Sequence, residues 1–175
     1  IELKSKFNLG PFAFEFINMT HSIAEPNALS IKTELGTILH TGDWEIDEHP
    51  QIGEPIDSKS LKHLGKSGVL AMVCDSTNVF SEGFSGSEQN VRKELVKLVG
   101  EYPNVGISVA SFASNIARLE SVMIAAKLNG RSVCLVGRSM KRMAGAAKSI
   151  GMLSGVDQFI TEDEANAIPA SHVLY

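Results

Sequence analysis

Apolar and polar positions alternate from early in the chain. In the stretch FAFEFINM, residues 12–19, Phe12, Phe14 and Phe16 fall on one side and Ala13, Glu15 and Ile17 on the other, the period of two that marks a strand. THSIAEPNA interrupts the pattern, and LSIKTELGTILHTGD then gives two short apolar runs around Glu34-Leu35-Gly36. A glycine there supplies the positive φ of a tight hairpin, so residues 37–39 are expected to return beside residues 29–31. A proline-bearing acidic loop follows, and then a short helix over residues 58–64. GVLAMVCDSTN reads as an unbroken apolar strand running into Asp75, the pattern of a strand buried on both faces.

The rhythm changes near residues 78–88. SGSEQNVRKELVKLVGEY opens with Ser85 and Glu88 at capping-box spacing and continues with Val91, Leu95, Leu98 and Val99 at helical intervals. NVGISVAS is strand-like, SNIARLESVMIAAKLNG is a helix closed by Gly130, SVCLVG is a strand and SMKRMAGAAKSIGML a further helix. Strand and helix alternating in this way imply right-handed crossovers and a parallel sheet. The expected class is α/β, a strand-rich part leading into an α/β part, with no internal repeat.

Composition narrows the picture modestly. A chain of 175 residues with 43% hydrophobic content has enough material for one core or two partial ones. A net charge of -4 and a pI near 5.7 argue against nucleic-acid binding through bulk electrostatics and leave a local basic groove open. Cys74 and Cys134 lie within apolar runs, where cysteine acts as a small hydrophobe rather than half of a disulfide framework. No run approaches the roughly 20 apolar residues of a membrane span, and no signal or lipidation motif opens the chain. The expectation is a cytoplasmic protein with no membrane partner. Because the chain starts at Ile1 in mid-pattern and stops at SHVLY, which resembles the beginning of a strand, a fragment of a longer protein is expected.

The candidate chemistry is dispersed. His21, His40, His49, His63 and His172 form no His-x-His pair, no helical His-x-x-x-His pair and no cluster with a Cys-x-x-Cys knuckle. A metal site must therefore be assembled from separate segments. Three strand ends each offer one suitable group, His21, Asp43 and Asp75, and imidazole nitrogen with carboxylate oxygen suits zinc or manganese. The plainer alternative is that the aspartates cap turns and the histidine bonds to backbone.

THSIAEPNALSIKTELGTILHTGDWEID resembles the third and fourth metal-binding motifs of the metallo-β-lactamase superfamily. Together with VCDSTN and SFASNIARL, in that order along essentially the whole chain, it resembles ribonuclease J, in the β-CASP group of that superfamily. The resemblance implies a partial αββα-type sandwich, residues 1–80 forming the C-terminal part of a catalytic segment, and residues 81–175 forming part of an inserted β-CASP α/β domain. It implies two divalent metal ions, zinc first and manganese second, with His21 and Asp43 as metal ligands. Asp43 would bridge the ions, and Asp75 would act beside them in handling protons. The His-x-His-x-Asp-His motif of the family is not in this sequence, so the resemblance also implies an incomplete metal set. His172 sits in the pattern of neither late histidine motif.

Implied further are RNA as substrate, hydrolysis of its phosphodiester bonds, homo-oligomerisation of the parent protein, and no hydrolysis by this chain alone. Ser111, Ser114 and Asn115 fall where a strand hands over to a helix, and Arg138 with Ser139 repeats that arrangement at the next crossover. Helix N-termini offer free amide donors, so both places are candidates for RNA phosphate binding; the ordinary role for Ser114 and Ser139 is N-capping. Met140, Met143 and Met152 fit packing, Trp44 fits burial beneath the neighbouring loop, and Lys141-Arg142 fits a solvated face. Two other readings compete with the nuclease. One is a non-catalytic α/β module for RNA or a phosphorylated ligand, and the other, minor, is a lactamase-fold hydrolase of a small ester or thioester.

Overall fold

A computed structural model describes residues 2–153 and 158–175. Contacts divide the chain into two units, one formed by Ile1–His21 with Glu25–Ser87 and the other by Ser22–Ala24 with Glu88–Tyr175.

The first unit is built on a five-stranded sheet in the order β1 (Lys6–Leu9), β2 (Phe12–Asn18), β3 (Asn27–Thr33), β4 (Gly36–His40) and β5 (Ala71–Val73). Neighbours are antiparallel from β1 to β4, whereas β5 runs parallel to β4. The hairpin takes the expected register, with Ser30 opposite Leu39 and Ile31 opposite Ile38. Gly36 makes the return at φ +144°. On the face of β2 that carries Ile17, burial is complete toward the end of the strand: Ile17, Met19, Ala28 and Leu39 form a core onto which Leu61 and Leu64 pack from helix α1 (Ser58–Ser67). The other face carries an aromatic row, Phe7 stacking on Phe14 at 5.0 Å between ring centroids. Buried Asn18 fixes the approach to α1, its amide donating to the carbonyls of Glu54 and Pro55 at 2.9 and 2.8 Å. Asp57 caps the helix by accepting the Ser60 N–H.

One expectation for this half and one for the start of the second unit need correction. The apolar run around Met72 forms a strand of only three residues, and its residues are exposed rather than buried on both faces. An apolar run signals burial only where a strand has neighbours on both sides, and among the described residues β5 pairs with β4 alone. Helix α2 (Glu88–Glu101) starts at Glu88 itself, not just after Ser85, and the Glu88 carboxylate accepts from Asn115 and Arg118.

The second unit is centred on α3 (Ile116–Leu128), whose Ile116, Leu119, Val122, Met123, Ala125 and Ala126 are all buried. Helix α2 packs along it, tied by Arg92 to Glu120 and by Arg118 to Glu88. Strand β6 (Ser132–Val133) pairs in parallel with β7 (Val173–Leu174). Single parallel bridges from Ile107 to Leu174 and from Cys134 to Ile160 extend the pairing on either side. This is the parallel arrangement that alternating strand and helix imply, and the protein is α/β. Helix α4 (Arg138–Ser149) follows β6, and the short α5 (Glu162–Asn166) carries a complete capping box from Thr161 and Glu164. Both cysteines are free thiols, Cys134 buried and Cys74 half-buried. Among the described residues no helix is long and apolar enough to cross a membrane.

Candidate functional site

Topology brings three segments to one rim. β2 and β4 are both antiparallel to β3 and therefore run in the same direction, and β5 is parallel to β4. Their C-terminal ends share an edge of the sheet. His21 lies three residues beyond β2, Asp43 three beyond β4 and Asp75 two beyond β5.

At that rim His21 Nε2 lies 3.9 Å from Asp43 Oδ2, with the imidazole 26% and the carboxylate 73% exposed. The other ring nitrogen of His21, Nδ1, is buried without a hydrogen-bond partner among the described residues. Asp75 completes the group. Its Oδ1 accepts the hydroxyl and the amide of Thr77 at 2.6 and 2.9 Å, and these two bonds are the main cause that holds its carboxyl below the usual carboxylate range. All three line a cleft of about 750 Å³ together with Trp44, Cys74 and Phe84. The indole N–H of Trp44 donates to the Asp75 carbonyl at 3.2 Å, and its ring packs against the core of the first unit.

The backbone around Asp43 is shaped to present it. Gly42 stands at φ +62°, and a Cβ there would lie 3.3 Å from the Asn27 carbonyl oxygen. Its N–H donates to His40 Nδ1 at 3.0 Å. Two buried threonines flank the turn, Thr41 within the Thr41-Gly42-Asp43 sequence and Thr20 just before His21. Thr41 Oγ1 accepts the Asp75 N–H at 3.2 Å and donates to the Gly42 carbonyl at 2.7 Å. Thr20 Oγ1 donates to the Glu45 carbonyl at 2.6 Å and accepts the Asp47 N–H at 3.2 Å. Strand ends followed by Thr were the available signal, and nothing local distinguishes such a threonine from an ordinary β-former.

The donor set suits a divalent cation. Two ligands of one tetrahedral ion, bonded at about 2.0–2.2 Å each, stand roughly 3.3–3.6 Å apart, so the 3.9 Å between His21 and Asp43 closes onto a shared ion with a side-chain shift of a few tenths of an ångström. It is not a full cage: among the described residues, no group of three His, Cys, Asp or Glu side chains is placed to hold a metal.

The five candidates for phosphate contact all belong to the second unit. Asn115 has a structural occupation: it is the N-cap of α3, its Oδ1 accepting the Arg118 N–H at 2.8 Å while its Nδ2 donates to Glu88 at 3.3 Å. Ser114 precedes the cap, and Ser111 makes one long contact of 3.5 Å to the Phe112 carbonyl. The N-cap of α4 is Gly137, with no side-chain hydrogen bond, so Ser139 is not the cap and is exposed within the first turn beside exposed Arg138. The helix caps are thus Asn115 and Gly137, where Ser114 and Ser139 are the expected choice; at α3 Asn and Ser are near-equal caps one residue apart, and at α4 the helix starts two residues earlier, behind a glycine.

Comparison with known proteins defines the class first. Residues 105–175 match the family model described as Ribonuclease J, beta-CASP domain. A crystal structure of a protein of unknown function from Enterococcus faecalis V583 shares the fold, with a TM-score of 0.68 at 17% identity, over 99% of this chain and 43% of that one. Similarity to Ribonuclease J proteins extends over nearly the whole length of the chain. It is 44% identical to the Ribonuclease J of Sinorhizobium meliloti across 97% of this chain and 30% of that protein. The corresponding figures are 36%, 93% and 28% for the Ribonuclease J of Thermus thermophilus, and 38%, 98% and 24% for that of Corynebacterium glutamicum. The chain thus spans 24–30% of the length of these relatives.

Proposed function

We propose that the full-length protein hydrolyses RNA phosphodiester bonds at a site carrying two divalent metal ions, zinc in the first instance and manganese in the second. The observation that supports this best is the approach of His21 Nε2 to Asp43 Oδ2, 3.9 Å apart at a rim shared with Asp75. Bound there, the cations would lower the pKa of a water and polarise the scissile phosphate. The residues of this chain divide the remaining work. His21 and Asp43 hold the cations, and two adjacent charges compensate the carboxylate for lost hydration. Asp75, oriented by the bonds of its Oδ1 to Thr77, handles protons beside the cations.

In the second unit, Ser111, Ser114 and the first turn of α4 with Arg138 and Ser139 contact RNA phosphates, the α4 N-terminus contributing its unpaired amides. Asn115 supports them as the cap of α3. The chain alone supplies only part of the ligand set and does not hydrolyse RNA. The full-length protein works in the cytoplasm, without a membrane partner, as a homo-oligomer. The test is Asp43→Asn in the full-length protein: RNA hydrolysis is lost while the circular dichroism spectrum is kept. Hydrolysis at the unsubstituted rate rejects the reading.

The exposed Arg138 and the side-chain-free cap of α4 also fit a second reading, a non-catalytic module that holds RNA or a phosphorylated ligand. In that case Asp43→Asn leaves binding unchanged, and hydrolysis is absent from the unsubstituted protein as well.

A further inference from the structure

Thr20 and Thr41 occupy equivalent places. Each follows a strand of the first sheet by one or two residues, and each precedes one of the two candidate ligands, Thr20 next to His21 and Thr41 two residues before Asp43. Both are buried, at 4% and 5% exposure. A buried hydroxyl is stable only when paired, and here each is used twice, once as donor and once as acceptor. Thr41 donates to the Gly42 carbonyl and accepts the Asp75 N–H, while its own N–H donates to the Val73 carbonyl at 2.9 Å. Thr20 donates to the Glu45 carbonyl and accepts the Asp47 N–H, while its own carbonyl accepts the Glu45 N–H at 2.8 Å.

The consequence lies in what these bonds join. Thr41 ties the residue before Asp43 to Asp75, 34 positions along the chain. Thr20 ties the residue before His21 to Glu45, two beyond Asp43 and 25 positions away. The turn that carries Asp43 is therefore held at both ends by hydroxyls, one anchored beside His21 and the other on Asp75. The same three segments are also joined by the Trp44 indole bond to the Asp75 carbonyl, the Thr20–Glu45 bridge and a short stretch of parallel ladder.

We infer that Thr20 and Thr41 are a pair of positioning residues whose hydroxyls set the separation of His21, Asp43 and Asp75 and so make the rim competent to hold metal. The inference rests on the metal-site reading given above. Valine matches the shape of threonine without its hydroxyl, and serine keeps the hydroxyl. In the full-length protein, Thr41→Val and Thr20→Val each lower metal affinity, or turnover on RNA, by about 10- to 100-fold, as is typical when an outer partner of a metal ligand is lost. Thr41→Ser and Thr20→Ser stay within a few-fold of the unsubstituted protein. The rescue by serine separates positioning from the loss of a methyl contact. If a valine variant does not fold, the alanine variant, which removes the same hydroxyl without placing a methyl against the Asp75 amide, carries the same expectation. Folded valine or alanine variants with unchanged metal content and turnover, alongside an inactive Asp43→Asn, overturn the inference and leave the metal-site reading standing. An active Asp43→Asn overturns both.

Discussion

The indole N–H of Trp44 donates to the backbone carbonyl of Asp75 at 3.2 Å, joining the residue after Asp43 to a residue 31 positions later. Asp75 is thereby gripped on both sides of its peptide, by Thr41 at the N–H and by Trp44 at the carbonyl. Trp44→Phe keeps a ring for the core and removes this bond. Net loss of such a bond is worth about 1 kcal/mol, and urea unfolding of the full-length protein should show a midpoint lowered accordingly. Turnover should fall with it, because the Asp75 carboxylate is carried on a residue then held by Thr41 and the Cys74 thiol without the indole.

Gly42 is a second pressure point. At φ +62° a Cβ is disfavoured by about 1–2 kcal/mol, and here it would also press on the Asn27 carbonyl oxygen at 3.3 Å. Gly42→Ala should destabilise the protein by at least that amount. Gly42→Asn, which tolerates the left-handed region better, should lie between alanine and glycine. Equal melting temperatures for all three would contradict the turn described here.

Stability should also respond to pH through Asp57. Its carboxylate accepts the Ser60 N–H and hydroxyl at 3.0 and 2.9 Å and lies 3.8 Å from Lys4, so its pKa in the folded protein is below the ordinary 3.8, the Ser60 bonds being the main cause. A lowered folded value means that the stabilisation is fully present above the unfolded pKa and is lost as pH falls through the folded one. Asp57→Ala should therefore cost about 1 kcal/mol near neutrality, as N-cap removal does. Thermal melts repeated down to about pH 3 should show the gap between variant and unsubstituted protein closing below the ordinary carboxylate pKa.

For RNA contact the two crossovers make different predictions. Arg138 is exposed and supports no helix cap, so Arg138→Ala should leave the melting temperature unchanged and reduce the slope of log affinity against log salt by about one. Asn115→Ala should instead lower the melting temperature, because both ends of its amide are engaged in holding α3 and α2 together. Filter binding across a salt series, with melts of the same samples, separates the two effects.

Much of the fold is legible in the sequence because it is local. The alternation through Phe16 and Ile17 marks β2, Gly36 fixes the β3–β4 register, and the apolar spacing of Leu119, Val122 and Met123 marks α3. What fails is non-local. The run at Met72 reads as buried, yet whether a strand is central or at an edge depends on partners that its own residues do not specify. The site divides in the same way. His21, Asp43 and Asp75 stand out as strand ends with suitable chemistry, and the family resemblance says which of them to group. The hydroxyl bonds of Thr20 and Thr41 span 25 to 34 residues and leave no periodic trace.

The central claim is that His21 and Asp43 share divalent metal. The most direct measurement is the metal content of the full-length protein after exhaustive dialysis, compared with that of His21→Ala and Asp43→Asn. Retained metal in the unsubstituted protein, with loss of at least one equivalent from each variant while both stay folded, is the predicted result. A full complement in both variants would contradict it.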